Sequence, residues 1–261
     1  MADTFERNAP IAVFDSGVGG ISVLRALREV MPCEDFFYFG DSAYAPYGTK
    51  TTEEVRARVF ELVDGFRDKG LKACVVACNT ATSAAVRALR ETYPEYTIVG
   101  IEPALKPAVM DRAGEMPNVI VMATPMTIRN EKFHNLMDRY VEMAHIIPLP
   151  CPGLMEFVER GETSGEALYD FISNLLAPFD RDRVDAVVLG CTHYPFVAET
   201  VRKVMGEKAV LYEGGPGTAR ETRRRLEAAG LLTDRTTVGK ITIENSLSEE
   251  KVRICERLLE M

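Results

Sequence analysis

The stretch Ala73–Val86, ACVVACNTATSAAV, decides how the rest of the chain is read. An unbroken apolar run ending on Cys78 reads as a strand buried on both faces. Asn79, Thr80 and the alanine-rich run behind them start a helix at once. A thiol therefore stands where a strand stops and a helix begins. The stretch Ala186–Val201, AVVLGCTHYPFVAETV, has the same shape and puts Cys191 at the matching point. In this alignment Ala73 pairs with Ala186, Val75 with Val188 and Val76 with Leu189. Taken alone, a cysteine after an apolar strand is a small core hydrophobe. Two in equivalent settings, each followed by polar side chains, point to a pair with a chemical task.

The pattern extends in both directions. Short apolar runs (IAVF from Ile11, FFYFG from Phe36, TIVGI from Thr97, VIVMA from Val119, HIIPL from His145, AVLYE from Ala209) alternate with helical periodicity. Thr51 and Glu54 form a capping box before a helix carrying Val55, Val59, Leu62, Val63 and Phe66 on one stripe, and Gly70 can close it. Uniformly apolar strands separated by helices predict an α/β fold with parallel sheets covered on both faces. A weak repeat sets IAVFDS beside VIVMAT, pairing Asp15 with Thr124. The expected architecture is two pseudo-symmetric lobes, each a three-layer α/β sandwich, with the active site in the cleft between them. Residues 1–99 and 207–261 would form the first lobe and 100–206 the second. Ligand groups are expected at the carboxyl ends of strands.

At 261 residues, 46% of them hydrophobic and 27% charged, the composition is that of an ordinary globular protein. A net charge of −8 argues against a general nucleic-acid surface. The cluster Arg220, Arg223, Arg224 and Arg225 is interleaved with Glu221 and Glu227, as on a solvated helix face. No apolar run reaches the roughly 18 residues that cross a bilayer. MADTFERNAP lacks a signal-peptide pattern, so a cytoplasmic protein with reduced thiols is expected. The six cysteines are scattered, which disfavours a disulfide framework.

Both cysteine turns share one logic. The strand end aims a side chain outward, and the free N–H groups of a starting helix suit a carboxylate and favour a thiolate. Asn79, Thr80, Thr192 and His193 add hydrogen-bonding side chains. In FDSGVGG, Asp15 is either a cap for the following helix or an acid–base helper or ammonium partner. The dinucleotide pattern fails there, because Ser22 stands where a third glycine belongs. In GDSAYAPYGTK, Pro46, Tyr47 and Gly48 read equally well as a wall with exposed N–H groups or as a simple turn. Cys191 and His193 could reach one ion, but His134 and His145 lie in unrelated contexts, so no metal is expected. Lys50 and Lys106 lack a pyridoxal setting, so no cofactor is expected.

Together, FDSGVGG, GDSAYAPYG, ACNTAT, GIEP, ATPMTI and LGCTHYP resemble the glutamate racemases, cofactor-independent enzymes of the aspartate/glutamate racemase superfamily. The matches run in order from Ile11 to about Pro195. The resemblance implies interconversion of L- and D-glutamate, supplying D-glutamate for peptidoglycan. Cys78 would take the proton from D-glutamate and Cys191 from L-glutamate, the opposite thiol donating each time. Asp15 would support Cys78, and His193 would support Cys191. Ser16, Pro46, Tyr47, Gly48, Asn79, Thr80, Thr124 and Thr192 would hold the substrate, and Glu159 in EFVERGE would orient His193. Two departures stand out: Tyr44 where a basic residue is common, and GGPGTA where an Asp-Ser-Gly turn is frequent. A related racemase acting on aspartate, and a non-enzymatic two-lobed binding module, remain alternatives. A homodimer is compatible with this reading, and nothing in the sequence assigns an interface.

Overall fold

The structure is a computed structural model and describes residues 5–261. In chain order the elements begin β1 (Ile11–Asp15), α1 (Ile21–Val30), β2 (Phe36–Gly40), α2 (Thr52–Asp68), β3 (Ala73–Val76), α3 (Asn79–Thr92) and β4 (Thr97–Gly100). Then come α4 (Leu105–Met110), β5 (Asn118–Ala123), α5 (Pro125–Arg129), α6 (Glu131–Asp138), β6 (His145–Pro150), α7 (Leu154–Glu159) and α8 (Glu166–Leu176). The last are β7 (Ala186–Leu189), α9 (Ala198–Met205), β8 (Val210–Glu213), α10 (Gly215–Ala228), β9 (Ile241–Asn245) and α11 (Glu249–Leu259). The chain divides into two compact units, 1–102 with 215–261, and 103–214.

The first unit holds a parallel sheet in the order β4-β3-β1-β2-β9, and the second a parallel sheet in the order β6-β5-β7-β8. Strands β1, β3 and β7 are buried along their whole length, as uninterrupted apolar runs with helices on both faces require. Helix α2 opens with the expected capping box between Thr51 and Glu54. It is followed by Gly70 at φ 74°, a left-handed residue suited to glycine. Its buried stripe is Val55, Val59, Leu62, Val63 and Phe66, packed with Phe14, Val76 and Leu89 into the core of the first unit. The core of the second gathers Leu105, Val109, Val119, Val121, Phe133 and Val188.

The expected repeat is present in the topology. Setting β1 against β5, β2 against β6, β3 against β7 and β4 against β8 makes the two strand orders identical, with β9 added to the first. Register fixes the correspondence residue by residue. Phe14 pairs with Val76 and Met122 with Leu189, so Cys78 and Cys191 each stand two residues beyond equivalent strand ends. The same register makes Ala123 the counterpart of Asp15, and Thr124 the counterpart of Ser16. The pairing of Asp15 with Thr124 read from the sequence is therefore one residue out of step.

Two features depart from the sequence reading. Strand β8 pairs with β7, which places 210–213 in the second unit, and the chain passes back between Gly214 and Gly215. Strand β9 lies parallel to β2 at a sheet edge, with alternating rather than uniform burial. In the GGPGTA departure, Gly215 opens α10, and a methyl group there would lie 3.4 Å from the Ala26 Cβ of α1. That is an ordinary van der Waals distance, so the packing of α10 on α1 would accept a methyl group there.

Candidate active site

In an open parallel sheet, ligands gather beyond the carboxyl ends of strands where the order reverses. In the first unit the chain moves from β1 to β2 on one side and places β3 on the other, so the reversal lies between β1 and β3. In the second unit the same reasoning places it between β5 and β7. The candidate residues cluster at these two points.

In the first unit, Asp15 ends β1 and is fully buried. Its Oδ1 accepts from the Gly17 N–H at 2.9 Å and lies 3.4 Å from Ser16 Oγ. The turn is tight around it. A methyl group on Gly20 would come within 2.6 Å of the Asp15 Cβ, so only glycine lets α1 start there. Cys78 is the N-cap of α3, 6% exposed, with its Sγ 3.7 Å from Ser16 Oγ. Asn79 and Thr80 are the first two residues of α3, at the positive end of its dipole. Asp15, Ser16, Cys78, Asn79 and Thr80 are thus brought to one place by β1, β3 and α3.

The loop after β2 supplies a wall. Ala45-Pro46 is a cis peptide, and Tyr47–Thr49 make a single 3-10 turn. Tyr47 is buried in the same apolar cluster as Cys78 and Ala81. Its hydroxyl donates to Asp41 Oδ2 at 2.8 Å. Arg58 of α2 grips Asp41 with two bonds, Nε to Oδ2 at 2.9 Å and Nη2 to Oδ1 at 2.8 Å. Burial alone would raise the Asp41 carboxyl; the Arg58 fork and the Tyr47 hydroxyl outweigh it and hold the group below its usual range. Burial and the adjacent Asp41 charge push the Tyr47 phenol far up, so it stays a neutral donor. The sequence reading named Tyr47 but neither Asp41 nor Arg58. Asp41 could have been noticed, because it follows β2 as Ser16 follows β1.

In the second unit, Cys191 is 9% exposed and stands before a short helical turn that begins at Tyr194. Gly190 lets β7 end tightly there, since a methyl group would meet the Met122 carbonyl at 2.7 Å. His193 is 1% exposed and bonds on both sides. Its Nδ1 lies 3.5 Å from Cys191 Sγ and its Nε2 lies 2.8 Å from Glu159 Oε1, at the end of α7. Burial alone would lower the His193 pKa; the bonds to Cys191 and Glu159 outweigh it and raise it well above the ordinary imidazole value. Thr192 is buried beside them. Thr124 caps α5, its Oγ1 accepting from the Thr127 N–H at 3.2 Å and lying 3.0 Å from Thr127 Oγ1. Cys151, one of the six cysteines and given no role in the sequence reading, is buried just past β6, at the position equivalent to Asp41. Burial, with the Cys191 charge nearby, pushes its thiol up to about 12. It is therefore an inert neutral thiol.

Glu159 predicts its own test. Because its carboxylate favours the protonated imidazole, Glu159→Gln removes a charge-assisted bond of about 1.5–3 kcal/mol. A raised His193 pKa contributes stability fully below the ordinary value of about 6.5, lost as pH climbs through the raised one. The gap in unfolding temperature between parent and variant is expected to be widest at pH 6 and to narrow toward pH 10. A gap that widens with pH would contradict the assignment.

Each half-site thus presents a barely exposed thiol just past a strand end, beside the Ser16 oxygen of the β1 turn in one case and the His193 nitrogen of its own turn in the other. Among the described residues no group of three or more potential ligands is placed to hold a metal ion. No helix among the described residues is long and apolar enough to cross a membrane.

The Asp/Glu/Hydantoin racemase family model matches residues 21–222. The glutamate racemase of Clostridium perfringens is 48% identical over 256 residues, 98% of each chain. The crystal structure of the Francisella tularensis glutamate racemase with D-glutamate superposes with a TM-score of 0.81 at 26% identity, covering 98% of this chain and 95% of that one. The Escherichia coli glutamate racemase, with L-glutamate and the activator UDP-MurNAc-ala, gives a TM-score of 0.83 at 29% identity, covering 96% and 95%. The chain belongs to the Asp/Glu/hydantoin racemase family and is, within it, an amino-acid racemase of the glutamate racemase kind.

Proposed function

We propose that this racemase interconverts L- and D-glutamate by two-base proton transfer, with Cys78 and Cys191 as the bases and no cofactor. The observation that carries the reading is the equivalence of the two thiols, each two residues past matching strand ends, Cys78 beside Ser16 of the β1 turn and Cys191 beside His193 of its own turn. Inverting a stereocentre requires removing the α-proton from one face and returning one to the other. One thiolate breaks the Cα–H bond and keeps the proton; the second thiol delivers its own proton to the opposite face of the carbanion-like carbon. The reverse reaction exchanges the roles.

Each partner has a task. Cys78 removes the proton from D-glutamate with Asp15 and Ser16 beside it, and Cys191 removes it from L-glutamate. His193, held by Glu159, stands beside Cys191 as its hydrogen-bond partner. The N–H groups at the start of α3 receive a substrate carboxylate, with Asn79, Thr80, Thr192 and Thr124 adding side-chain donors. Pro46, Tyr47 and Gly48 wall the Cys78 side. Preorganised donors of this kind stabilise developing negative charge at little reorganisation cost, which a weakly acidic α-proton demands.

Glutamate is favoured because the Francisella and Escherichia relatives were crystallised with its D- and L-forms. In this setting the enzyme is cytoplasmic and supplies D-glutamate to peptidoglycan synthesis. Polarimetry of the purified, dialysed protein tests the substrate. L-Glutamate is expected to lose its rotation completely, and L-aspartate to react at least about 100-fold more slowly. Dependence on added pyridoxal phosphate would overturn the mechanism, and faster turnover of aspartate would overturn the substrate.

A further inference from the structure

We propose that Arg58, on α2, is a positioning residue that acts through Asp41 to hold the Tyr47 wall against Cys78. This rests on the reading that Cys78 acts on substrate beside that wall. Asp41 has no exposed surface, and its carboxylate is the junction of the whole loop. One of its oxygens accepts from both Tyr47 Oη and Arg58 Nε, the other from Arg58 Nη2. Its backbone N–H donates to the Asp15 carbonyl at 2.9 Å, tying the loop to the strand that presents Asp15. Ser246, just past β9, also bonds to it and accepts from the Ala43 N–H at 2.9 Å.

Arg58 holds the loop a second way. Its guanidinium carbon lies 5.5 Å from the centre of the Tyr44 ring, which meets Tyr47 edge-on at 5.9 Å. Lys50 Nζ lies 4.2 Å from the same ring centre. Tyr44 stands where the resemblance makes a basic residue common, and here the cations come to the ring instead. Both tyrosines of the loop are therefore tied to one side chain on a rigid helix, itself steadied by Glu61 at 2.8 Å. The planar fork matters, because a lysine could not bond both carboxylate oxygens in this geometry. Without Arg58, Asp41 is a buried carboxylate that keeps the Tyr47 and Ser246 hydroxyls but loses its cation, and burial would drive it to take up a proton.

The test compares Arg58→Gln, Tyr47→Phe and the double variant, with Arg58→Lys as the milder change should the glutamine variant not fold. Two quantities are read in each: KM and kcat for glutamate, and the rate at which iodoacetamide alkylates Cys78, mapped by peptide mass. Arg58→Gln is expected to raise KM about tenfold and to speed Cys78 alkylation, because the wall loosens rather than disappears. As pH is lowered its activity should fall off earlier than the parent's, because Asp41 without the guanidinium takes up a proton more readily. In the Tyr47→Phe background the same substitution should add less than about threefold to either quantity, since both act through one bond network. Arg58→Lys should lie between. A folded Arg58→Gln or Arg58→Lys protein with parental KM and parental Cys78 alkylation overturns the proposal, as does full additivity with Tyr47→Phe. The alkylation readout needs no substrate. It judges Arg58 even if glutamate turnover or the role of Cys78 fails on its own terms.

Discussion

Cys78→Ala and Cys191→Ala each lose glutamate racemisation by on the order of 10³-fold or more, while remaining folded. In the proposed mechanism each thiol serves as the acid or base on one face of the carbon. Alanine can neither take nor give a proton. Beside Cys78, Ser16 Oγ lies 3.7 Å from the sulfur, but a hydroxyl is far too weak an acid to stand in. Beside Cys191, His193 is already engaged with Glu159, and Cys151 is held neutral by burial. Truncation removes one small atom from sites that retain some exposure, so the loss of packing is slight. Circular dichroism and the unfolding midpoint should match the parent within a few degrees. Racemisation continuing near the parental rate in either folded variant would show that the proton moves through another group.

The second large effect concerns stability and lies far from the thiols. Lys72 precedes β3 and is fully buried, as is Glu34 before β2. The Lys72 ammonium pairs with Glu34 and donates to the Arg7 carbonyl at 2.6 Å, while the other Glu34 oxygen accepts from the Thr233 N–H at 2.8 Å. One buried pair thus joins the segment before β1, the start of β2 and the chain after α10. Lys72→Met leaves a buried carboxylate without its cation, expected to cost about 3–5 kcal/mol. For a chain of this size that lowers the unfolding temperature by roughly 10 °C. Changing Glu34 to Gln as well should recover part of the loss, because the stranded charge is then gone. Thermal unfolding of both variants checks this. A single variant as stable as the parent would mean that the pair contributes nothing.

Much of this organisation was legible in the sequence, and the reasons are specific. Cys78 and Cys191 stood out because uniformly apolar runs announce buried parallel strands, and both thiols fall at their ends. The capping box at Thr51 and Glu54 was legible because both halves lie within four residues. What escaped depended on distant partners. Asp41 sits inside a motif that was read, but its importance comes from Arg58, seventeen residues away on a helix face. The His193–Glu159 bond joins residues thirty-four apart, and only the resemblance suggested it. Strand β9 alternates apolar and polar residues at a sheet edge, so it lacks the buried-strand signature. Thr124 was set beside Asp15 because short apolar runs align almost equally well one residue apart; only the pairing of β5 with β7 fixes the step.

The central claim is that two different groups handle the two faces of the α-carbon. Starting from pure L-glutamate in D₂O, NMR and chiral chromatography at early times follow deuterium in each enantiomer separately. The account predicts D-glutamate that carries solvent deuterium from its first appearance, while the remaining L-glutamate keeps its original α-proton. D-Glutamate that retains the original α-proton, or L-glutamate that gains deuterium faster than it racemises, would contradict it and point to a single base serving both faces.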